Sequence, residues 1–315
     1  MTFDPNGPAE YDSYFGIPPV PDARIAIIPV PFEATVSSGG GTARGPGIVR
    51  EASAQVDLHD MHFGSVWRVG FDECPPVEVD QDLEPDAAAE AIRALLHGHA
   101  ADLIRIGQAP IVLGGEHSVS LGAVEACAEA VPAIGVLQID AHMDLRDAYE
   151  GYRFSHASIA RNILERCPTV TSLIQVGIRD CCDEERSYAA DEGERVRVLD
   201  DVAIWRHIDS GGSFRSLAEG AIETLPEHVY ITFDIDGLDP ALCANTGTPV
   251  PGGLTFQQAA ALLEAVAESG RRVVGADLVE ISPGTSDGRW DGNVGARILY
   301  KLAGCIGKSQ GWLKS

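Results

Sequence analysis

Short apolar runs alternate along the chain with longer segments whose apolar positions recur at helical spacing. The first pattern predicts strands and the second predicts helices. Strands are expected at Arg24–Val30, Pro110–Gly114, Ala133–Asp140, Ser172–Ile178, Val196–Leu199, His228–Asp234 and Arg272–Ile281. Helices are expected near 46–55, 86–106, 118–130, 156–166, 214–225, 255–269 and 292–305. Pro85-Asp86 and Thr255 ahead of Phe-Gln-Gln supply helix-start signals. Such alternation implies the α/β class, with a mostly parallel sheet wrapped by helices. GVLQI, VYITF and RVVGADLV are nearly continuous apolar runs, as strands buried on both faces should be. No internal repeat or break in composition divides the 315 residues, so one domain is expected, with residues 1–20 as an N-terminal arm.

Polar residues therefore collect where strands end, and in an open α/β sheet ligands bind beyond the carboxyl ends. Four ends carry ligand-type side chains: Gly-Gly-Glu-His finishing at His117, Asp140-Ala-His142-Met-Asp144, Asp234-Ile-Asp236, and Glu280. If the chain stays extended, Asp140, His142 and Asp144 share one side, as do Asp234 and Asp236. Four carboxylates and two imidazoles would then converge on one crevice. Their repulsion is costly away from water unless cations are present. Two divalent metals would balance the charge, so the sequence predicts a binuclear centre. A lone D-x-D or Gly-Glu-His would more often be a turn or a cap, and only the grouping makes the signal specific.

Other histidines fail this test, because His97 and His99 sit two apart on a helix and His59 and His62 have no strand behind them. All four are expected at the surface. The glycine-rich SSGGGTARGPG at 37–47 lacks the lysine of a phosphate loop and is expected to be a tight connection into a helix.

Composition narrows the partners. Hydrophobic residues make up 45% and charged residues 22% of the chain, as in ordinary globular proteins. A formal net charge of −24 disfavours nucleic acid and anionic membranes and is compatible with a small cationic ligand. No apolar stretch is long enough to span a bilayer, and the N-terminus carries no secretory signal, so a cytoplasmic location is expected. Seven cysteines, an odd number without a C-x-x-C pair, are expected to be reduced thiols.

The ordered motifs GGEHS, DAHMD, SHAS, DIDGLDP with GTPVPGGL, and DLVEISP resemble those of the ureohydrolases, the arginase and agmatinase family. The resemblance runs from IIPVPFEATVSSGGGTARGPGIVREAS to DGNVGARILY, nearly the whole chain. It implies a three-layer α/β/α sandwich on an eight-stranded sheet, so one edge strand, near Val66–Phe71, is still to be found. It further implies two manganese ions per subunit, with nickel and iron also compatible with such donors. By resemblance, His117 and Asp144 would bind one metal, His142 and Asp236 the other, and Asp140 and Asp234 both.

His156 would be the proton donor, with a pKa suited to neutral pH, Glu280 would hold the guanidinium, and Asp144 would join them in catalysis. A homo-oligomer, trimer or hexamer, is also implied. The loop LRDAYEGYRFSH lacks the asparagine- and serine-rich segment of arginases and looks like that of agmatinases. Asp147 and Glu150 would suit a distal amine, whereas Arg146 and Arg153 would suit an acid such as 4-guanidinobutyrate. Agmatine hydrolysis to putrescine and urea ranks first, ahead of guanidino acids, free guanidine, and a non-catalytic metal-bound scaffold.

Overall fold

The computed structural model describes residues 3–313 apart from Gln81 and Ser286. Eight strands form one sheet: β1 (Ile25–Val30), β2 (Phe71–Glu73), β3 (Ala109–Gly114), β4 (Ile134–Ile139), β5 (Val170–Ile178), β6 (Val196–Asp200), β7 (His228–Asp234) and β8 (Arg272–Val279). Every pairing is parallel, in the order β2-β1-β3-β8-β7-β4-β5-β6. The missing strand lies a few residues later than expected. Val66–Val69 is a 3-10 turn, and only Phe71–Glu73 pairs with β1.

Successive strand residues feed opposite faces, which is why the strands read as unbroken apolar runs. Ile25, Ile27, Ile111 and Leu113 pack on one side, and Ile28, Val30 and Val112 on the other. The first side is covered by α1 (Gly45–Ser53), α7 (Phe214–Ile222), α8 (Phe256–Glu268) and α9 (Arg289–Ser309). The second is covered by α2 (Pro85–Arg105), α3 (Leu121–Glu129) and α4 (Ile159–Arg166). This is the three-layer architecture the motifs implied.

Two further helices, α5 (Asp183–Asp191) and α6 (Asp201–Asp209), were not expected from the sequence. The first buries only Glu185 and Ala189 and is too polar to show an apolar stripe; the second buries only Ile204, its other large apolar residues Val202, Trp205 and Ile208 being exposed. The expected N-terminal arm is only partly an arm: Tyr14, Phe15 and Ile17 are buried, and the Phe15 ring lies 4.7 Å from that of Tyr300. All seven cysteines are free, with Cys127, Cys167, Cys243 and Cys305 buried. Among the described residues no helix is long and apolar enough to cross a membrane.

Candidate functional site

The four strand ends singled out by the sequence belong to four consecutive strands, β3-β8-β7-β4, at the centre of the sheet. Because all are parallel, their carboxyl ends open on one crevice. After β3 the chain must pass close to the segment behind β1. A Cβ on Gly115 would lie 2.0 Å from the carbonyl oxygen of Phe32, so only glycine fits there. Glu116 then turns inward and accepts from the amides of Ala34 and Thr35 and the hydroxyls of Thr35 and Ser118. That satisfied carboxylate delivers His117 to the crevice.

His117, Asp140 and Asp144 form one nest of donor atoms and Asp140, His142 and Asp236 another, with Asp140 common to both. Asp234 adjoins the first, its Oδ2 3.4 Å from His117 Nδ1. The route to this grouping differs from the extended one expected. The strand ends at Ile139, and Asp144 takes a left-handed conformation (φ 54°) that swings its carboxylate to the nest opposite from His142. Asp236 sits in a 3-10 turn whose amide is capped by Asp234 Oδ1 at 2.8 Å. Among the described residues, Asp144 and Glu280 (φ 63°) are two of four non-glycine residues with positive φ, a conformation that costs backbone strain.

The nests fit cations. Buried His117 donates from Nε2 to Thr232 Oγ1 at 2.7 Å, and that hydroxyl donates onward to Asp277 Oδ1 at 2.8 Å. This chain assigns the proton to Nε2 and leaves a lone pair on Nδ1. Nδ1 lies 3.1 Å from Asp144, 3.3 Å from Asp140 and 3.4 Å from Asp234, yet hydrogen-bonds to none of them. With Nδ1 unprotonated these are acceptors facing acceptors in a buried space, which calls for a positive charge between them, either a proton on Nδ1 or a bound cation. Supporting amides complete the nest: Gln138 donates to Asp140 Oδ2 and is itself held by Gln175, both contacts at 2.8 Å.

The titration of these groups reports the same field. Burial opposes charge on His117 and His142, but the surrounding aspartates outweigh it, raising the first well above its usual value and the second to about 12. Burial, then the charge of Asp140, pushes Asp144 up to about 7. Asp234 rises well above the carboxyl range through burial and its neighbours Asp236 and Asp140. Without cations the centre attracts protons, and divalent ions would displace them.

Beside it opens a cleft of about 350 Å³ whose lining includes Ser37, His142, Asp144, Tyr149, His156 and Thr248. Thr35 donates its hydroxyl to Glu116, so towards His156 it can only accept, from the amide at 3.2 Å and from Nδ1 at 3.4 Å. The proton thus sits on Nδ1, and the unprotonated Nε2 accepts from Ser37 Oγ at 3.5 Å, facing the cleft. Burial foremost, with the charges of His142 and His117, lowers the pKa of His156 to about 4. The near-neutral value expected for it is not found. The buried Glu280 accepts from the His117 amide at 2.8 Å, and burial, then Glu116, raises its pKa well above the carboxyl range.

A profile of the Arginase family matches residues 23–304. The chain belongs to the arginase family. A relative from Thermus thermophilus, named N(1)-aminopropylagmatine ureohydrolase, is 33% identical over 94% of this chain and 94% of its own length. An agmatinase from Bacillus anthracis is 30% identical, covering 84% of this chain and 86% of its own. The solved agmatine ureohydrolase of Thermoplasma volcanium superposes with a TM-score of 0.78 at 24% identity, over 92% of each chain. This arginase-family protein is thus a hydrolase of the ureohydrolase type, which removes the scaffold alternative.

The cleft of this ureohydrolase does not include Asp147. Its side chain is 63% exposed and pairs with Arg161 at 3.5 Å, because the loop turns outward after Arg146. Arg153 is likewise outside, paired with Glu165, and Glu150 is exposed. Arg146 alone of the four loop charges lines the cleft. His62 is half-buried rather than fully exposed. Its Nδ1 lies 3.0 Å from the buried Lys301, beside Asp60. Sequence reading missed Thr232, Asp277 and Arg179. A carboxylate inside the apolar run RVVGADLV was the one available signal for Asp277.

Proposed function

We propose that the protein hydrolyses a guanidino compound, agmatine first, to urea and an amine, using a pair of divalent cations for which manganese suits the donors. His117, Asp140, Asp144 and Asp234 would hold one cation, and Asp140, His142, Asp234 and Asp236 the other. The observation that carries this reading is His117 Nδ1, a buried nitrogen 3.1 to 3.4 Å from three carboxylates, one of which, Asp144, also lines the cleft that holds His156. Bound there, two divalent ions supply Lewis-acid activation of a water.

The side chains do the rest. Glu280, left-handed at the end of β8, takes paired hydrogen bonds from the guanidinium, whose charge ionises a carboxyl that burial otherwise keeps protonated. This fixes the guanidinium carbon in front of the nucleophile. His156 is neutral at physiological pH, so Nε2 receives the proton of the attacking water and returns it to the departing amine.

A second reading, N(1)-aminopropylagmatine, is supported by the name of the Thermus thermophilus relative. Urea release after manganese loading, measured with agmatine, aminopropylagmatine, arginine, 4-guanidinobutyrate and guanidine, tests both. Highest kcat/KM on agmatine or its aminopropyl derivative supports the proposal, and urea from arginine or guanidine alone overturns it.

A further inference from the structure

The charges lining the cleft, and those buried behind it, balance in pairs, with one exception. Four aspartates of the centre answer to two divalent cations, and Glu280 answers to the guanidinium. Arg146 already has partners, because its guanidinium lies 4.7 Å over the Tyr149 ring and its Nε 3.8 Å from Glu185. Glu185 is fixed in turn, buried and accepting from the amides of Leu145 and Cys182. Arg146 is therefore a wall of the cleft rather than a free cation waiting for an acid.

The exception is Asp180. It lines the same cleft, is exposed, and among the described residues no arginine, lysine or histidine reaches its carboxylate within ion-pair distance. Its backbone is not loose. The amides of Arg179 and Asp180 both donate to the Ala141 carbonyl, at 2.8 and 3.0 Å, and Asp180 is bridged alongside His142. An unmatched negative charge is thus held beside the metal nest at the open side of the cleft. The acids of the 145–153 loop cannot substitute for it, since Asp147 is committed to Arg161 outside.

We propose that Asp180 is the specificity-determining residue that reads a positive charge at the far end of the substrate. On this view the substrate is an ω-amino alkylguanidine, cationic at both ends, and guanidino acids are disfavoured by the same carboxylate. The inference rests on the ureohydrolase reading of the cleft and goes further by assigning the tail-binding group.

The test compares kcat/KM for agmatine, for butylguanidine with its uncharged tail, and for 4-guanidinobutyrate, in the manganese-loaded wild type, Asp180→Asn and Asp180→Lys. In Asp180→Asn the ratio of agmatine to butylguanidine should fall about tenfold, through KM, equivalent to ~1.4 kcal/mol. Asp180→Lys should turn the preference from agmatine to 4-guanidinobutyrate. A ratio that stays within about twofold of wild type overturns the assignment, and so does loss of all activity, because a tail reader cannot abolish hydrolysis of a substrate without a charged tail. If the wild type releases urea from none of the three, the ureohydrolase substrate reading falls and takes Asp180 with it. Activity in the wild type with an unmoved ratio sinks Asp180 alone.

Discussion

The backbone amide of His117 donates to Oε1 of Glu280 across 2.8 Å. The residue whose imidazole faces the centre therefore also holds the carboxylate assigned to the guanidinium. The clasp is mutual, since the Glu280 amide donates to the Gly115 carbonyl at 2.8 Å. The ends of β3 and β8 are locked together, which would hold a cation on His117 and a guanidinium on Glu280 in fixed relation, at the cost of a left-handed Glu280.

Glu280→Gln keeps the shape and the acceptor for His117 but loses the charge. Charge-assisted hydrogen bonds contribute about 1.5–3 kcal/mol, so kcat/KM for agmatine should fall roughly 10- to 150-fold while bound metal is retained. Urea-release kinetics with metal analysis check this. A fall of less than about threefold would remove Glu280 from substrate binding.

Thr232→Val cuts the path from His117 Nε2 to Asp277. The imidazole loses the group that fixes its tautomer, and a buried N–H is left without a partner. Metal affinity should fall by roughly 10- to 100-fold with little change in KM once metal is saturating. Competition with a metal-responsive dye measures the affinity, and wild-type binding in the variant would contradict the tautomer assignment.

Much of this was legible because burial on both faces leaves polar residues few places to go. Carboxylates at the ends of GVLQI and VYITF have no packing role, so they announced the centre. The hidden parts act through the backbone or in the wrong rhythm. Asp144 reaches its nest only through a left-handed turn, and α5, with the sequence DEERSYAAD, is too polar to show a helical stripe. Asp147 and Glu150 look like binding residues by proximity in sequence, whereas the exposed Asp180 becomes a neighbour of the site only through its bridge to His142.

His156 should set the acid limit of activity far below the ordinary imidazole range. Burial, then the nearby imidazole charges, lowers its pKa to about 4 from 6.5, so the neutral form persists until pH falls through that lower value. The sign for stability is the same. Between 6.5 and about 4 the unfolded chain binds a proton that the folded chain refuses, so falling pH favours unfolding across this window. His156→Gln should lower kcat by about 100-fold or more with KM nearly unchanged, and should weaken the dependence of Tm on pH between these values. The variant's kcat and its Tm measured across pH decide the point; a kcat close to that of the wild type would give the proton transfer to another group.

Arg179 braces the site through backbone carbonyls and contacts no carboxylate or imidazole of either nest. Its guanidinium donates to the carbonyls of Gly177, Asp236, Leu238 and Val250, at 2.7 to 3.2 Å. The Asp236 carbonyl belongs to a proposed metal ligand, and Val250 belongs to the loop that walls the cleft. That loop is shaped around the guanidinium: Gly253 has φ 96°, and a Cβ there would lie 2.9 Å from Arg179 Cζ. A lysine ammonium is a point donor and cannot span four carbonyls. Arg179→Lys should therefore leave buried carbonyls unpaired, destabilising the protein by about 2 kcal/mol and loosening the Asp236 nest in particular. Metal should then leave the variant at lower chelator concentration than the wild type, and excess manganese should recover part of the lost Tm because it binds only the folded chain. Equal resistance to chelator in the two proteins would show that the Asp236 segment is held by its own contacts, with Arg179 serving the loop alone.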